Sequence, residues 1–270
     1  MKSHPAKIYG VLGNPIGHSL SPVMHNAAFR AAGVNALYGA FESSDLKGSI
    51  GGMRALSICG MSVTIPFKTS VIPYLDELDS LAEQIGAVNT IVNVKGRLKG
   101  YNTDGLGAMK ALEAKIDLAG KRCVLVGAGG AARGIGFVAR EKGMELVVAA
   151  RSMERGQALA DFLGCPFILL ERIREIRADV LIQTTPVGMF PHENVSPVPK
   201  EMFQKDMVVM DAIYNPLETR MLKSARAKGC ITISGLEMFI HQGAEQFRLW
   251  TGLDPHVELM RSAVKNALGE

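Results

Sequence analysis

Short apolar runs alternate with amphipathic stretches along nearly the whole chain, the signature of βα units around a mainly parallel sheet. In the first part, residues 8–12, 36–41, 57–63 and 88–94 read as strands, and 21–32, 44–56 and 78–85 as helices. Ser21 followed by Pro22 predicts a helix start, with serine as the cap and proline at the first helical position. Lys95-Gly96 predicts a tight turn into a further extended run, 97–100. From Lys121 the pattern restarts, with strands expected at 123–126, 145–150, 167–170, 180–184, 207–213 and 230–233, separated mostly by helical segments. Six strands in one block suit a doubly wound nucleotide-binding domain. Two amphipathic helices, 236–250 and 255–268, come last, with no strand after them. They are therefore expected to fold back onto the first domain.

Composition narrows the class further. With 270 residues, 47% hydrophobic and 21% charged, the chain has the balance of a compact globular protein, which excludes disorder as its main theme. At roughly 150 residues per domain, two domains are expected. Thirty basic against twenty-six acidic residues leave +4, too little and too scattered for a nucleic-acid groove or a membrane-surface patch. No window approaches the roughly 18 apolar residues of a membrane span, and residues 1–7 carry no apolar leader core. Cys59, Cys123, Cys165 and Cys230 are far apart and form no C-x-x-C pair, so thiols in a reducing cytoplasm are expected rather than a disulfide framework.

Chemistry enters at Val124-Leu125-Val126-Gly127-Ala128-Gly129-Gly130-Ala131-Ala132, a G-x-G-x-x-A loop between an apolar strand and a helix. Gly127 permits the tight turn, Gly129 lets backbone approach a pyrophosphate, and Ala132 lets helix and strand pack closely. The helix N-terminus, with Gly130 and Ala131, offers N–H groups to phosphates. A plain structural turn is the alternative, but strand, loop and helix all stand in the order that dinucleotide binding requires. An NAD site needs a carboxylate about 20 residues further on. The chain instead reads Ala150-Arg151-Ser152-Met153-Glu154-Arg155 there. Two guanidinium groups with a hydroxyl between them suit a 2′-phosphate, and arginines at a helix start oppose its dipole unless an anion is present. The expected cofactor is NADP.

Three segments of the first part carry polar residues that strand-helix alternation does not require. They are Gly17-His18-Ser19-Leu20-Ser21-Pro22, then Ser62-Val63-Thr64-Ile65-Pro66-Phe67-Lys68, and Gly86-Ala87-Val88-Asn89-Thr90 with Tyr101-Asn102-Thr103-Asp104-Gly105. Here the chain resembles the shikimate dehydrogenase family. The marks are H-S-x-S-P, V-T-x-P-x-K, G-A-x-N-T, N-T-D-x-x-G, the glycine loop, I-Y-N-P at 213–216, and G-x-x-M with a following glutamine at Gly235, Met238 and Gln242, all in family order.

The resemblance implies NADPH-dependent reduction of 3-dehydroshikimate to shikimate, in aromatic amino-acid biosynthesis. It implies Lys68 and Asp104 as catalytic residues, and Ser19 and Ser21 at the substrate carboxylate with Tyr214 nearby. Thr64, Asn89 and Gln242 would contact ring hydroxyls. Gly127, Ala128, Gly129, Gly130, Ala131, Arg151, Ser152, Arg155 and Gly235 would hold the cofactor. The expected domains are 1–104 for substrate and catalysis, a Rossmann NADP-binding domain over 105–236, and C-terminal helices over 237–270 that return to the first domain. The expected protein is a cytoplasmic monomer or homodimer that acts on a small molecule, with no nucleic-acid or membrane partner.

The residue types suit that chemistry. A cyclic polyol acid needs hydroxyl and amide groups to read its hydroxyls, and hydride transfer to a ketone builds negative charge that a proton donor or cation must meet. Taken singly, Lys68 reads as a surface lysine, Asp104 as a helix cap, Ser19 and Ser21 as capping residues, and Gln242 as a solvated position. His18 and His241 lack metal-ligand spacing, so no metal is expected. Two positions depart from the family pattern: Ser62, where asparagine is common, and Ala150, where asparagine often precedes the arginine. A quinate or aminoshikimate dehydrogenase on the same scaffold is the nearest alternative. A non-catalytic NADP-binding regulator is the alternative of another class.

Overall fold

The computed structural model describes residues 5–269. It divides into two compact units, one running through Thr103 and resuming at Gln242, the other covering Asp104–His241.

In the first unit a six-stranded sheet has the order β2-β1-β3-β5-β6-β4. Its strands are β1 (Lys7–Gly13), β2 (Ala36–Glu42), β3 (Gly60–Val63), β4 (Glu77–Leu78), β5 (Thr90–Val94) and β6 (Arg97–Tyr101). The crossovers through α1 (Ser21–Ala31) and α2 (Leu46–Ala55) make β1 parallel to both β2 and β3. The β5–β6 hairpin is antiparallel and turns at Lys95 and Gly96, both with positive φ (53° and 87°), the pairing a type I′ turn needs.

Several boundaries differ from the sequence expectation because a side chain or turn intervenes. Asp45 accepts from the Gly48 N–H at 2.8 Å, so α2 starts at Leu46. Ser57 takes a positive φ of 52° after that helix, which delays β3 to Gly60. Asp79 caps α3 (Ser80–Ile85), which frees Leu78 to extend beside β6. Leu20, not Ser21, is the boundary residue of α1; Ser21 is already helical and no side chain caps it.

On one sheet face Leu12, Met61, Val63, Ile91 and Leu98 pack with Ile50 and Met53 of α2. The C-terminal residues supply the aromatic packing of the same unit. Phe247 and Trp250, on α8 (Gly235–Thr251), join Tyr9 and Phe29, with Trp250 and Tyr9 centroids 5.3 Å apart. The Trp250 indole donates to the Ile91 carbonyl at 3.0 Å, and α9 (Val257–Ala267) packs on α1. The last helices thus fold back onto the first unit, as their apolar faces predict.

The second unit is a wholly parallel sheet in the order β12-β11-β10-β7-β8-β9. Its strands are β7 (Arg122–Val126), β8 (Glu145–Ala150), β9 (Phe167–Leu169), β10 (Val180–Gln183), β11 (Val208–Asp211) and β12 (Ile231–Ile233). This is the doubly wound order, with its switch point between β7 and β10. Helices α4 (Asp104–Glu113), α5 (Gly130–Glu141), α6 (Met153–Leu163) and α7 (Arg220–Ala227) belong to it. Between β10 and β11 no α-helix forms. Pro186, Pro191, Pro197 and Pro199 interrupt that stretch, and its Val198, Met202 and Phe203 fill the core in a helix's place.

Candidate active site and cofactor loop

In the second unit β7 ends at Val126, and the chain turns at Gly127 with φ +117°, where the Gly127 N–H donates to the Ala149 carbonyl at 2.9 Å. A side chain there would also collide with the Thr184 hydroxyl, which donates to the Val126 carbonyl at 2.7 Å. Gly129 is different. It is extended, and a Cβ built on it meets no protein atom within 4 Å, so nothing in the protein demands glycine at that place. It is also the residue before α5, where it supplies no side-chain cap to the first N–H groups, those of Gly130 and Ala131 among them. Ala128 is half-buried beside it, and Ala132 is fully buried, which lets α5 lie close to the sheet. An open glycine and uncapped N–H groups at the switch point fit a dinucleotide pyrophosphate.

Ala150 ends β8 and is buried, and Arg151, Ser152 and Arg155 follow on the exposed start of α6. The Ser152 hydroxyl accepts from the Arg155 N–H at 3.3 Å, so it caps the helix while keeping its own proton to donate. Among the described residues neither Arg151 nor Arg155 is in an ion pair. A hollow beside Arg151 is lined by Leu169, Leu170, Glu171, Arg174, Pro197 and Pro199. Arg174, which sequence reading did not single out, is ion-paired with Glu201 at 3.3 Å.

Tyr214 lies on the loop after β11 and stacks on Phe239 of α8, with centroids 4.3 Å apart. Asp211 closes that loop by accepting from the Ile213 N–H at 3.0 Å and the Thr219 hydroxyl at 2.7 Å. Burial pushes its carboxyl up to about 7 against those two hydrogen bonds. Gly235 donates to the Ile213 carbonyl at 3.2 Å, and its Cβ would strike the backbone there, so this glycine has a packing reason of its own. Asp104 is buried and opens α4, where its charge complements the helix N-terminus.

In the first unit the polar motifs converge at one end of the sheet. The Ser19 and Ser21 hydroxyls are 3.1 Å apart after the β1 loop, held together because Ser19 Oγ also accepts from the Ser21 N–H at 3.3 Å. The Thr64 N–H donates to the Leu12 carbonyl at 3.0 Å, and the Lys68 carbonyl accepts from the Val88 N–H at 2.7 Å. The Val63 N–H donates to the Asn89 carbonyl at 2.8 Å, and the Asn89 N–H to the Tyr101 carbonyl at 3.0 Å. Asn102 donates to the Ala87 carbonyl at 2.9 Å, and the Thr103 N–H to Asn89 Oδ1 at 2.9 Å. Thus V-T-x-P-x-K, G-A-x-N-T and the start of N-T-D are bolted to one another by backbone and amide groups. Gln242 is buried on α8. Sequence reading missed the support given by Thr90, Thr103 and Gln246; Gln246 lies four residues from Gln242, hence on the same helix face.

Among the described residues no group of three or more His, Cys, Asp or Glu is placed to hold a metal ion, and no helix is long and apolar enough to cross a membrane.

A doubly wound unit with an open glycine loop and unpaired arginines after its second strand, joined to a unit rich in aligned hydroxyls and amides, defines a two-domain nicotinamide-dependent dehydrogenase. Comparison with known proteins specifies the branch. The shikimate dehydrogenase substrate binding domain matches residues 11–91, and the shikimate 5′-dehydrogenase C-terminal domain matches 235–265. Shikimate dehydrogenase (NADP(+)) of Thermococcus kodakarensis is 48% identical, covering 100% of both chains. A crystal structure of a shikimate dehydrogenase in complex with NADP+ superposes with TM-score 0.94 at 43% identity over 98% of this chain and 96% of that one. The Thermus thermophilus enzyme in complex with NADP(H) and shikimate gives 0.90 at 41%, over 97% and 100%. A quinate dehydrogenase from Corynebacterium glutamicum in complex with NAD also gives 0.90, at 34% and the same coverage. The chain belongs to the shikimate dehydrogenase family.

Proposed function

We propose that the protein catalyses the reversible, NADPH-dependent reduction of 3-dehydroshikimate to shikimate, the step of aromatic amino-acid biosynthesis that its family carries out. The observation that carries this reading is the clustering of hydroxyls, amides and Lys68 at one end of the first sheet, in a chain whose second unit has an arginine-marked dinucleotide loop. We assign substrate binding to the first unit and NADP binding to the second. Gly127, Ala128, Gly129, Gly130, Ala131 and Gly235 form the cofactor bed, and Arg151, Ser152 and Arg155 take the 2′-phosphate.

When bound, NADPH supplies the hydride that turns the ketone carbon into a carbinol. Lys68 gives the carbonyl oxygen its proton and meets the charge that develops there. Asp104 orients the lysine and the reacting hydroxyl. The adjacent Ser19 and Ser21 hydroxyls donate to the carboxylate, with Tyr214 beside it, while Thr64, Asn89 and Gln242 read ring hydroxyls. Arg151 and Arg155 favour the NADP-linked shikimate enzyme over an NAD-linked quinate enzyme. The four free cysteines suit a reducing cytoplasm.

The test is nicotinamide absorbance with shikimate or quinate and either cofactor. Shikimate with NADP is expected to be the preferred pair. Lys68→Ala should lower kcat by about 10² to 10⁴ with little change in KM for NADP. A folded Lys68→Ala enzyme with wild-type turnover removes the lysine from the chemistry.

A further inference from the structure

Behind Asn89 lies a buried chain of polar side chains drawn from β2, β3, β5 and α8, all within the first unit. Tyr38 donates to Ser62 Oγ at 2.7 Å, and Ser62 donates to Gln246 Oε1 at 2.9 Å. The Gln246 amide nitrogen donates to Thr90 Oγ1 at 3.0 Å and to the Asn89 carbonyl at 3.3 Å. The Thr90 hydroxyl donates to Asn89 Oδ1 at 2.7 Å.

The direction of this chain is not arbitrary. A backbone carbonyl only accepts, so the Gln246 nitrogen must face Asn89, and its oxygen must face Ser62. Thr90 Oγ1 accepts from that nitrogen and so sends its one proton on to Asn89 Oδ1. A second group of fixed polarity agrees from the other side, because the Thr103 N–H donates to the same Oδ1 at 2.9 Å. Three donor contacts therefore hold the Asn89 oxygen, the third from the Thr103 hydroxyl at 3.3 Å. The Asn89 nitrogen donates to Thr103 Oγ1 at 2.9 Å. Thr90 is fully buried and Gln246 is 2% exposed, so water does not replace either partner.

We propose that Thr90 and Gln246 are positioning residues of the substrate site, which lock the Asn89 amide with its oxygen inward, so that Asn89 addresses the substrate as a donor and selects an acceptor oxygen. This rests on the reading of Asn89 as a substrate contact. Ser62 gains a role as well. Where relatives often carry asparagine, this chain places a short hydroxyl that passes the Tyr38 proton donation on to Gln246, so Ser62 serves the lock.

Thr90→Val keeps the shape and removes the hydroxyl; Thr90→Ser keeps the hydroxyl. Losing the lock lets the amide turn over, and about a tenfold rise in shikimate KM is expected for Thr90→Val, with kcat changed by less than about threefold and KM for NADP unchanged. Thr90→Ser should restore the KM. Gln246→Met, isosteric but without donors, should reproduce the shikimate-specific rise if the valine variant fails to fold. A purely structural role would lower the thermal midpoint and leave the KM values alone. Asn89→Leu is measured in parallel. If it raises shikimate KM while folded Thr90→Val and Gln246→Met do not, the lock is refuted and the reading of Asn89 stands. If Asn89→Leu has no effect on shikimate KM, the substrate contact and the lock fall together.

Discussion

The acid end of the stability profile should be governed by His25. This residue is on α1, fully buried, with its ring stacked on Tyr38 at a centroid distance of 4.6 Å and Nε2 3.3 Å from Gln246 Oε1. Its Nδ1 has no hydrogen-bond partner. Burial lowers its pKa from 6.5 to about 3, against a weaker upward pull from Gln246. As pH falls below 6.5 the unfolded chain takes up a proton that the native ring refuses until about 3, so stability is lost through that window. Each pH unit costs ~1.4 kcal/mol, and integration from about pH 8 to about pH 5 gives a loss of ~2 kcal/mol. Replacing His25 with Gln removes this contribution whatever the variant's absolute stability. The assay is urea unfolding across that range, followed by fluorescence of Trp250, the sole tryptophan, whose ring lies 5.1 Å from His25. The wild type should lose ~2 kcal/mol more than His25→Gln on acidification. Parallel pH profiles for the two proteins would refute the reasoning.

Two further outcomes test the cofactor unit. Arg151→Ala should raise KM for NADP by about tenfold, ~1.4 kcal/mol, while KM for NAD stays within twofold or so, because only the phosphate contact is lost; equal effects on both cofactors would exclude a 2′-phosphate role. The two loop glycines should separate in calorimetry and binding: Gly127→Ala, with positive φ and Thr184 in its way, should cost ~2 kcal/mol or more in stability, whereas Gly129→Ala should leave the melting midpoint in place and weaken NADP binding. A Gly129→Ala protein that binds NADP at wild-type strength would show that no phosphate approaches that backbone.

The features legible from sequence were those set by neighbours along the chain. The β7–loop–α5 motif, the Lys95-Gly96 hairpin and the amphipathic last helices depend on local turn chemistry and periodicity, and each stands where its residues put it. Boundaries slipped where one side chain captured a nearby N–H, as Asp45 and Asp79 do. Ser21 failed as a cap because the helix boundary falls one residue earlier, at Leu20, which leaves Ser21 already helical. The lock behind Asn89 was out of reach for a different reason. It joins Gln246 to Thr90 across 156 positions, and nothing in spacing or propensity ties those residues until tertiary structure brings them together. Arg174 was hidden likewise, because it reaches the Arg151 hollow only through the pairing of β8 with β9.

The unit boundary inside α8 bears on how the molecule is made. The second unit is one uninterrupted stretch, Asp104–His241, but the first is begun before it and closed after it by residues from Gln242 onward. During synthesis the dinucleotide unit is complete in sequence while its partner still lacks Phe247 and Trp250, the side chains that pack on Tyr9 and Phe29. Vectorial folding therefore runs out of order: the domain started first finishes last, and its nascent sheet must wait, one apolar face covered only by α1, for more than half the chain to emerge.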